Sequence, residues 1–186
     1  MAKLTQKAIL TTFEAMLREM PFHKITVSAL VDRCCISSNT FYYHYRDIYA
    51  LLDAWLETKQ ALYPLEDCVW EDWKDQFKRL LRGVQANPDI VNHIYDSIPR
   101  QRLRQYVLGT LETATWHLIA LKTQDKIGPD QQKMLAGVLC YTMTGFLVKF
   151  IAGGMQGSID ETFDPILNFL GDSMEAYVRQ EMEKSQ

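Results

Sequence analysis

Residues 24–51 read KITVSALVDRCCISSNTFYYHYRDIYAL, and this stretch contains two short helical patterns joined by a turn. Thr26 is suited to cap the first helix, and Ser37 is suited to cap the second, which runs from Ser38 to about His44. The apolar residues of the first helix fall on one face: Val27, Leu30, Val31 and Cys34. Two short helices separated by a tight turn predict a helix-turn-helix unit.

The second helix carries five consecutive ring side chains at positions 41–45. Helical geometry does not allow five consecutive side chains to share one face. Phe41 and Tyr45 lie four residues apart, so we expect both to pack inward against the first two helices. Asn39 and Tyr43 then point to solvent. They are flanked by other polar or ring side chains: Ser37, Ser38, Thr40, Tyr42 and His44.

This outward face has the chemistry of a DNA-binding surface. Hydroxyl and amide groups bond to phosphate oxygens and base edges, and a rigid tyrosine can donate a hydrogen bond to a phosphate. Lys24, Arg33 and Arg46 lie near it in the sequence and supply positive charge. The alternative is that the rings belong to the core and the polar residues to a loop.

The charge distribution favours an N-terminal DNA contact only mildly. Residues 1–50 hold six Lys and Arg against four Asp and Glu, whereas the remaining residues hold fourteen against nineteen. The whole chain of 186 residues has a net charge of −3, so no general affinity for nucleic acid is expected. We therefore place any DNA contact in the first fifty residues.

Other sequence features argue against several classes of protein. No apolar run reaches the roughly 20 residues that span a bilayer, and the first residues lack a signal-peptide pattern, so we expect a cytoplasmic protein without a membrane contact. The chain has no Gly-rich phosphate loop, nucleophile elbow, HExxH pattern or paired carboxylates, so we expect no enzyme activity.

The four cysteines at 34, 35, 68 and 140 form no CxxC pair and no His-linked zinc spacing. His93 and His117 also have no partner at metal-ligand spacing. We therefore expect four reduced thiols, with no metal and no cofactor. The alternative is a thiol sensor that works through Cys34 and Cys35.

Strand patterns are nearly absent, so the chain is predicted to be all-α with about nine helices. A first helix, Leu4 to Met20, ends before Pro21, and Asp47 caps a long fourth helix that Pro64 closes. Five more helices are expected: 71–85, 87–96, 99–122, 130–152 and 160–183. We predict a helix-turn-helix DNA-binding domain at 1–48, joined rigidly by the fourth helix to a helical effector-binding and dimerisation domain at 49–186.

Residues 24–51 resemble the DNA-binding signature of TetR-family transcriptional regulators. The positions in register are Thr26, Ile36, Ser37, Thr40, Phe41, Tyr42, His44, Tyr45, Ala50 and Leu51. The resemblance implies phosphate or base contacts for Thr26, Ser37, Ser38, Asn39, Thr40, Tyr42, Tyr43 and His44, to which Lys24 and Arg46 add charge. Cys35 departs from the family pattern, which has Gly in the turn, and Ile48 stands where members often have a Lys that contacts phosphate.

The resemblance also implies a dimer built from the last two long helices, and the sequence carries two broad apolar faces there. The first comprises Met134, Leu135, Val138, Leu139, Thr142, Met143 and Phe146. The second comprises Phe163, Ile166, Leu167, Leu170, Met174, Tyr177 and Val178. One such face can be covered inside a monomer, whereas two favour a four-helix interface between two copies. The alternative is that both faces are monomer core.

A TetR-like body implies a pocket for a small-molecule effector. The aromatic and His candidates to line it are Trp70, Trp73, Phe77, Tyr95, Tyr106, Trp116, His117 and Tyr141, although any one of them can equally be plain core. The body also loosely resembles the dihydroxyacetone-kinase regulator group, whose effector is another protein.

These features together predict a homodimeric, sequence-specific transcriptional regulator that binds a double-stranded, palindromic DNA operator. We expect a repressor that a small-molecule effector releases from the operator. The alternative is a transcriptional activator or adaptor controlled by a protein co-regulator.

Overall fold

A computed structural model describes residues 2–62, 68–124 and 126–184, which form nine α-helices and no strand. The all-α prediction is therefore confirmed for this part of the chain. The helices are α1 Ala2–Glu19, α2 Val27–Cys34, α3 Ser38–His44, α4 Ile48–Gln60, α5 Trp73–Gln85, α6 Pro88–Tyr95, α7 Arg100–Thr123, α8 Pro129–Ala152 and α9 Ile159–Lys184. A 3-10 turn, Phe22–Lys24, connects α1 to α2.

The predicted helix ends agree with the observed ones to within a few residues, which is the usual precision of such boundaries. The fourth helix is shorter than expected, because α4 ends at Gln60. Pro64, which was predicted to close it, lies outside the described residues. The fifth helix begins at Trp73 rather than Glu71.

Polar side chains form the N-caps of the three helices α2, α3 and α4, as the sequence predicted. Thr26 Oγ1 accepts the backbone N–H of Ala29 at 3.2 Å. Asp47 Oδ1 accepts the N–H of Ala50 at 2.8 Å, and this bond lowers the pKa of the Asp47 carboxyl. Each such cap stabilises a helix by about 1 kcal/mol. These local hydrogen bonds determine the residue at which each of α2, α3 and α4 begins.

The described helices pack as two compact units. One unit consists of the described residues within Met1–Leu62 and Asn87–Arg100, and the other of those within Tyr63–Ala86 and Gln101–Gln186. The helix α4 thus packs with the N-terminal helices, and α6 joins them from later in the chain. The predicted domain boundary after residue 48 stays a prediction.

Aromatic side chains contact one another within the largely aliphatic core of the first unit. Phe13 of α1 lies edge-on to Phe22 and to Trp55 of α4, with ring centroids 6.2 and 6.4 Å apart. The helix α6 attaches to the same unit, because His93 Nδ1 donates to the Leu17 carbonyl oxygen at 2.7 Å. The three-helix arrangement of α1, α2 and α3 is therefore supported by two further helices.

The second unit has a phenylalanine cluster at its centre. Phe163 of α9 lies 6.4 Å from Phe77 of α5 and 5.5 Å from Phe150 of α8, measured between ring centroids. Lys78 joins α5 to α9 through ion pairs with Asp160 and Asp164 at 3.2 and 2.8 Å. These contacts hold α5, α8 and α9 together in one body.

By length and composition alone, α8 is long and apolar enough to cross a membrane, although Lys133 and Lys149 interrupt its apolar residues. It is the one helix of the described residues with this property. The core helix of a soluble protein passes the same test, and 44% of the apolar window of α8 is buried inside the protein. We therefore interpret α8 as a core helix of the second unit.

Candidate functional site

The helix α3 is held at its start by a local hydrogen-bond pair. Ser37 Oγ accepts the backbone N–H of Thr40 at 3.1 Å and lies 2.9 Å from the Thr40 hydroxyl oxygen. This cap places the first turn of α3 in one conformation. The side chains that follow it along the helix therefore leave the surface at defined angles.

The five rings of residues 41–45 separate as the helical period predicts. Phe41 and Tyr45 are buried, with exposed fractions of 0% and 5%. Tyr42 and Tyr43 are exposed, with fractions of 57% and 79%. The buried pair packs α3 against the core, so the exposed pair projects from a helix that is held in place.

The remaining predicted DNA-contacting residues also reach solvent. Those classed as exposed are Lys24, Thr26, Ser37, Ser38, Asn39, Tyr42, Tyr43 and Arg46, and those half-buried are Thr40 and His44. All ten belong to α3 or to the segments next to α2 and α3. They are therefore accessible to a large partner, which is a necessary condition for the predicted contacts.

The positive charge near this surface is smaller than the sequence suggested. Arg33 forms two hydrogen bonds with the Glu19 carboxylate, at 2.5 and 2.6 Å, and these bonds lower the pKa of Glu19. Arg46 Nε lies 3.1 Å from Asp47 Oδ2, although the Arg46 side chain remains 87% exposed. Arg33 is thus paired with Glu19 of α1. Of the three cations predicted near this face, Lys24 and Arg46 remain accessible.

The turn between α2 and α3 has a left-handed residue at Cys35, with φ 54° and ψ 42°. The Cys35 N–H bonds to the Asp32 carbonyl and the Ile36 N–H to the Val31 carbonyl, at 3.2 and 3.1 Å. This pair of bonds is a Schellman motif, in which Gly is the preferred residue at the left-handed position. The departure from the family pattern at Cys35 therefore carries a conformational cost.

Cys35→Gly is expected to raise the free energy of unfolding by about 1 kcal/mol, because glycine adopts the left-handed conformation without the steric cost of a Cβ. Urea denaturation followed by circular dichroism measures this change. Cys34→Gly is the matched control: Cys34 is the last residue of α2, so glycine there should lower stability. A lower midpoint for Cys35→Gly would contradict the left-handed turn.

The cysteines differ in accessibility. Cys34 is half-buried and Cys35 exposed, whereas Cys68 and Cys140 are buried, and all four are free thiols. Burial raises the pKa of the Cys68 thiol to about 11 and also raises that of Cys140, so both are poor nucleophiles. Among the described residues, no three His, Cys, Asp or Glu side chains are grouped to hold a metal ion.

The predicted effector-pocket residues do not all come together. Trp70 and Trp73 are neighbours with ring centroids 6.0 Å apart, and Phe77 is fully buried in the phenylalanine cluster. Tyr95 belongs to the first unit, where Arg100 contacts it. The others divide between one half-buried side chain, Tyr106, and three exposed ones: Trp116, His117 and Tyr141. Trp70, Trp73 and Phe77 are buried, so packing in the core explains these three aromatic residues without a bound ligand.

Trp70 lines an open cleft of about 590 Å³ in the second unit. The cleft lies between the end of α7, the later half of α9 and the residues just before α5. Its lining residues are Val69, Trp70, Glu71, Leu121, Lys122, Gln124, Glu175, Val178, Arg179 and Met182. The other seven predicted pocket residues are not among them.

The predicted dimer-interface residues fall into two groups. Six are buried within the monomer: Leu135, Leu139, Phe163, Leu167, Leu170 and Met174. Six reach solvent: Met134 and Val138, which are exposed, and Thr142, Phe146, Ile166 and Tyr177, which are half-buried. Packing inside the monomer accounts for the first group, so only the second group is accessible to a partner.

A solved structure has the same fold. The dihydroxyacetone kinase operon activator DhaS is similar to this chain with a TM-score of 0.70 and 19% sequence identity, over 92% of this chain and 97% of that one. No family model and no curated protein sequence matches the chain. The likeness extends over both packing units, so the all-α architecture as a whole is shared.

The sequence patterns did not indicate exposed Phe169 or the charged residues of the cleft. Phe169 is 74% exposed on α9, and a helical wheel would have found it, because it lies two residues from buried Leu167 and thus on the opposite side. The cleft residues Lys122, Glu175 and Arg179 had no such indication. They come from α7 and α9, which are distant in sequence, and only their packing brings them together.

Proposed function

We propose that this protein is a dimeric, sequence-specific DNA-binding transcriptional regulator. The observation that carries the proposal is the division of rings on α3, where buried Phe41 and Tyr45 support exposed Tyr42 and Tyr43. Such a polar, rigidly held helix following a tight turn is suited to the major groove. The shared fold with a solved operon activator supports the same class of function.

The contacts that we propose divide by role. In this proposal, Asn39, near the start of α3, contacts base edges, and the hydroxyls of Tyr42 and Tyr43 donate to phosphates. Exposed Lys24 and Arg46 add charge–phosphate contacts. Because the proposal assigns two cations to the face, Lys24 and Arg46, we expect a shallow dependence of operator affinity on salt.

The dimer that we propose uses the exposed side of α8 and α9. Met134, Val138 and Tyr141 recur on α8 at helical spacing, and all three are exposed, as is Phe169 on α9. Large apolar side chains grouped on the surface are typical of an interface. A two-fold dimer would present two copies of α3, which must lie roughly 34–36 Å apart to enter successive major grooves.

DNA selection from a random pool, with the wild-type chain and no added ligand, tests this proposal. The expected product is a palindrome whose half-sites are separated by about one helical turn, roughly 10 base pairs. A pool that yields no common sequence after repeated rounds would count against sequence-specific binding. A single half-site without symmetry would count against the dimer.

Tyr43→Ala is expected to weaken operator binding by about 1–3 kcal/mol while leaving the fold intact. The ring is 79% exposed, so its loss removes a DNA contact and little packing. Tyr43→Phe is the matched variant, because it removes only the hydroxyl and should lose only the phosphate hydrogen bond. Electrophoretic mobility shift with the selected operator measures both, and wild-type affinity for Tyr43→Ala would exclude Tyr43 from the interface.

For the direction of control, we propose repression with release by a small-molecule effector. The ligand would favour a state in which the two α3 helices no longer match the operator. Gel-shift titration with a bound ligand tests this mechanism. Tight ligand binding with unchanged operator affinity would overturn it.

A specific observation favours activation as the second candidate, since the solved neighbour is named an operon activator. In this alternative, a protein co-regulator controls the output rather than a small ligand. Transcription in vitro from a promoter carrying the selected operator separates the two: added protein lowers the transcript yield of a repressor's target and raises that of an activator's target.

A further inference from the structure

The cleft beside Trp70 has a wall that is held together by internal polar contacts. Trp70 Nε1 donates to Glu175 Oε1 at 2.6 Å, and this bond lowers the pKa of the Glu175 carboxyl. Lys122 Nζ lies 3.4 Å from the same oxygen and 5.0 Å from the centroid of the Trp70 ring. Glu175 and Lys122 are therefore paired with each other in the wall of the cleft.

Arg179 differs from Lys122 in this respect. It lies on the exposed side of the cleft, one helical turn after Glu175 on α9, and it has no ion pair with a residue that the structure describes. A guanidinium presents a planar set of donors that matches a carboxylate, sulfonate or phosphate. Arg179 is thus the available anion-binding group of the cleft.

The remaining lining is largely apolar. Leu121 is 47% exposed at the rim, and Val178 and Met182 of α9 complete the wall. Exposed Leu121 and the small accessible part of Trp70, which is 7% exposed, are suited to contact a flat apolar body. Glu71 is the second lining carboxylate, so the charge of the lining residues is balanced. Selectivity for an anion must therefore come from direct pairing with Arg179 and not from the general potential of the cleft.

We propose that this cleft binds a small organic anion. The apolar or aromatic body of the ligand lies against Trp70 and Leu121, and its acidic group pairs with Arg179. The volume of about 590 Å³ is within the roughly 300–1,000 Å³ range of small-molecule sites. As the site of a transcriptional effector, the cleft rests on the function proposed above, whereas anion binding itself does not.

A matched pair of probes tests the charge pairing. Naphthalene-1-sulfonate is an aromatic anion, and naphthalene-1-sulfonamide is a neutral compound of nearly the same shape. We expect the wild-type chain to bind the sulfonate at least about tenfold more tightly, the lower end of the range for one charge-assisted contact. Isothermal titration calorimetry gives the two dissociation constants, and the indole N–H resonance of Trp70 should shift on titration.

Arg179→Gln should abolish the preference for the sulfonate while leaving the affinity for the sulfonamide within about twofold of wild type. Arg104→Gln, which changes an exposed arginine of α7 outside the cleft, is the matched control and should keep the full preference. A preference that survives in Arg179→Gln, or a titration that leaves the Trp70 resonance unmoved, would overturn the proposal. The operator selection uses the wild-type chain without ligand, so its failure would count against the proposed function and not against the cleft.

Discussion

Phe41→Ala is expected to lower the free energy of unfolding by about 3–5 kcal/mol, the usual cost of truncating a fully buried phenylalanine. The Phe41 side chain has an exposed fraction of 0%, and its ring centroid lies 5.8 Å from that of Tyr45. Its removal leaves a cavity beneath α3 and weakens the attachment of that helix to the core. Urea denaturation measured by circular dichroism gives the change in midpoint.

Tyr43→Ala is the matched control for this stability measurement. It removes a ring of similar size from the same seven-residue helix, so the change in helix propensity is the same in both variants. Because Tyr43 is on the surface, its loss should change stability by less than about 0.5 kcal/mol. Equal denaturation midpoints for the two variants would show that the buried and exposed sides of α3 are assigned wrongly.

Val138→Asp is expected to raise the dissociation constant of the proposed dimer by roughly 100-fold or more. In a two-fold interface the substitution occurs twice, so two carboxylates would be buried without partners, each at a cost of several kcal/mol. Val138 is 45% exposed in the monomer, so the isolated chain should still fold. Sedimentation velocity over a range of protein concentrations measures the dissociation constant.

Leu121→Asp provides the control for that measurement. Leu121 is 47% exposed and apolar, so the chemical change and the exposure match those of Val138, but it lies on the cleft and not on the exposed side of α8. We expect Leu121→Asp to remain dimeric. A dimeric Val138→Asp would place the interface elsewhere. Monomers from both variants would mean that surface charge alone disrupts association.

Features that depend on residues within one helical turn of each other could be predicted from the sequence. The caps at Thr26, Ser37 and Asp47 were correct, because a cap depends on a side chain and the backbone three residues later. The burial of Phe41 and Tyr45 was correct because the helical period relates residues within a single turn. The unusual residue at Cys35 could also be recognised from the sequence, because the conformation of a tight turn depends on a few neighbouring residues and this turn favours Gly at its left-handed position.

Features that depend on distant parts of the chain were harder to predict. Arg33 was expected to add charge to the DNA-binding face, but it is paired with Glu19 on another helix. In α8, apolar residues occupy most positions, so the pattern did not indicate which side faces the core. Packing against the neighbouring helices selects Leu135 and Leu139 for burial and leaves Val138 at the surface.

The sequence by itself determined the all-α class, the helix-turn-helix order and the orientation of α3, since each depends on hydrogen bonds and periodicity within a few residues. Only the tertiary structure decided which apolar side chains remain exposed and where the cleft forms. The cleft brings together Trp70, Lys122 and Glu175 from three separate segments. Their proximity results from how α7 and α9 pack, and no local pattern in the chain records that packing.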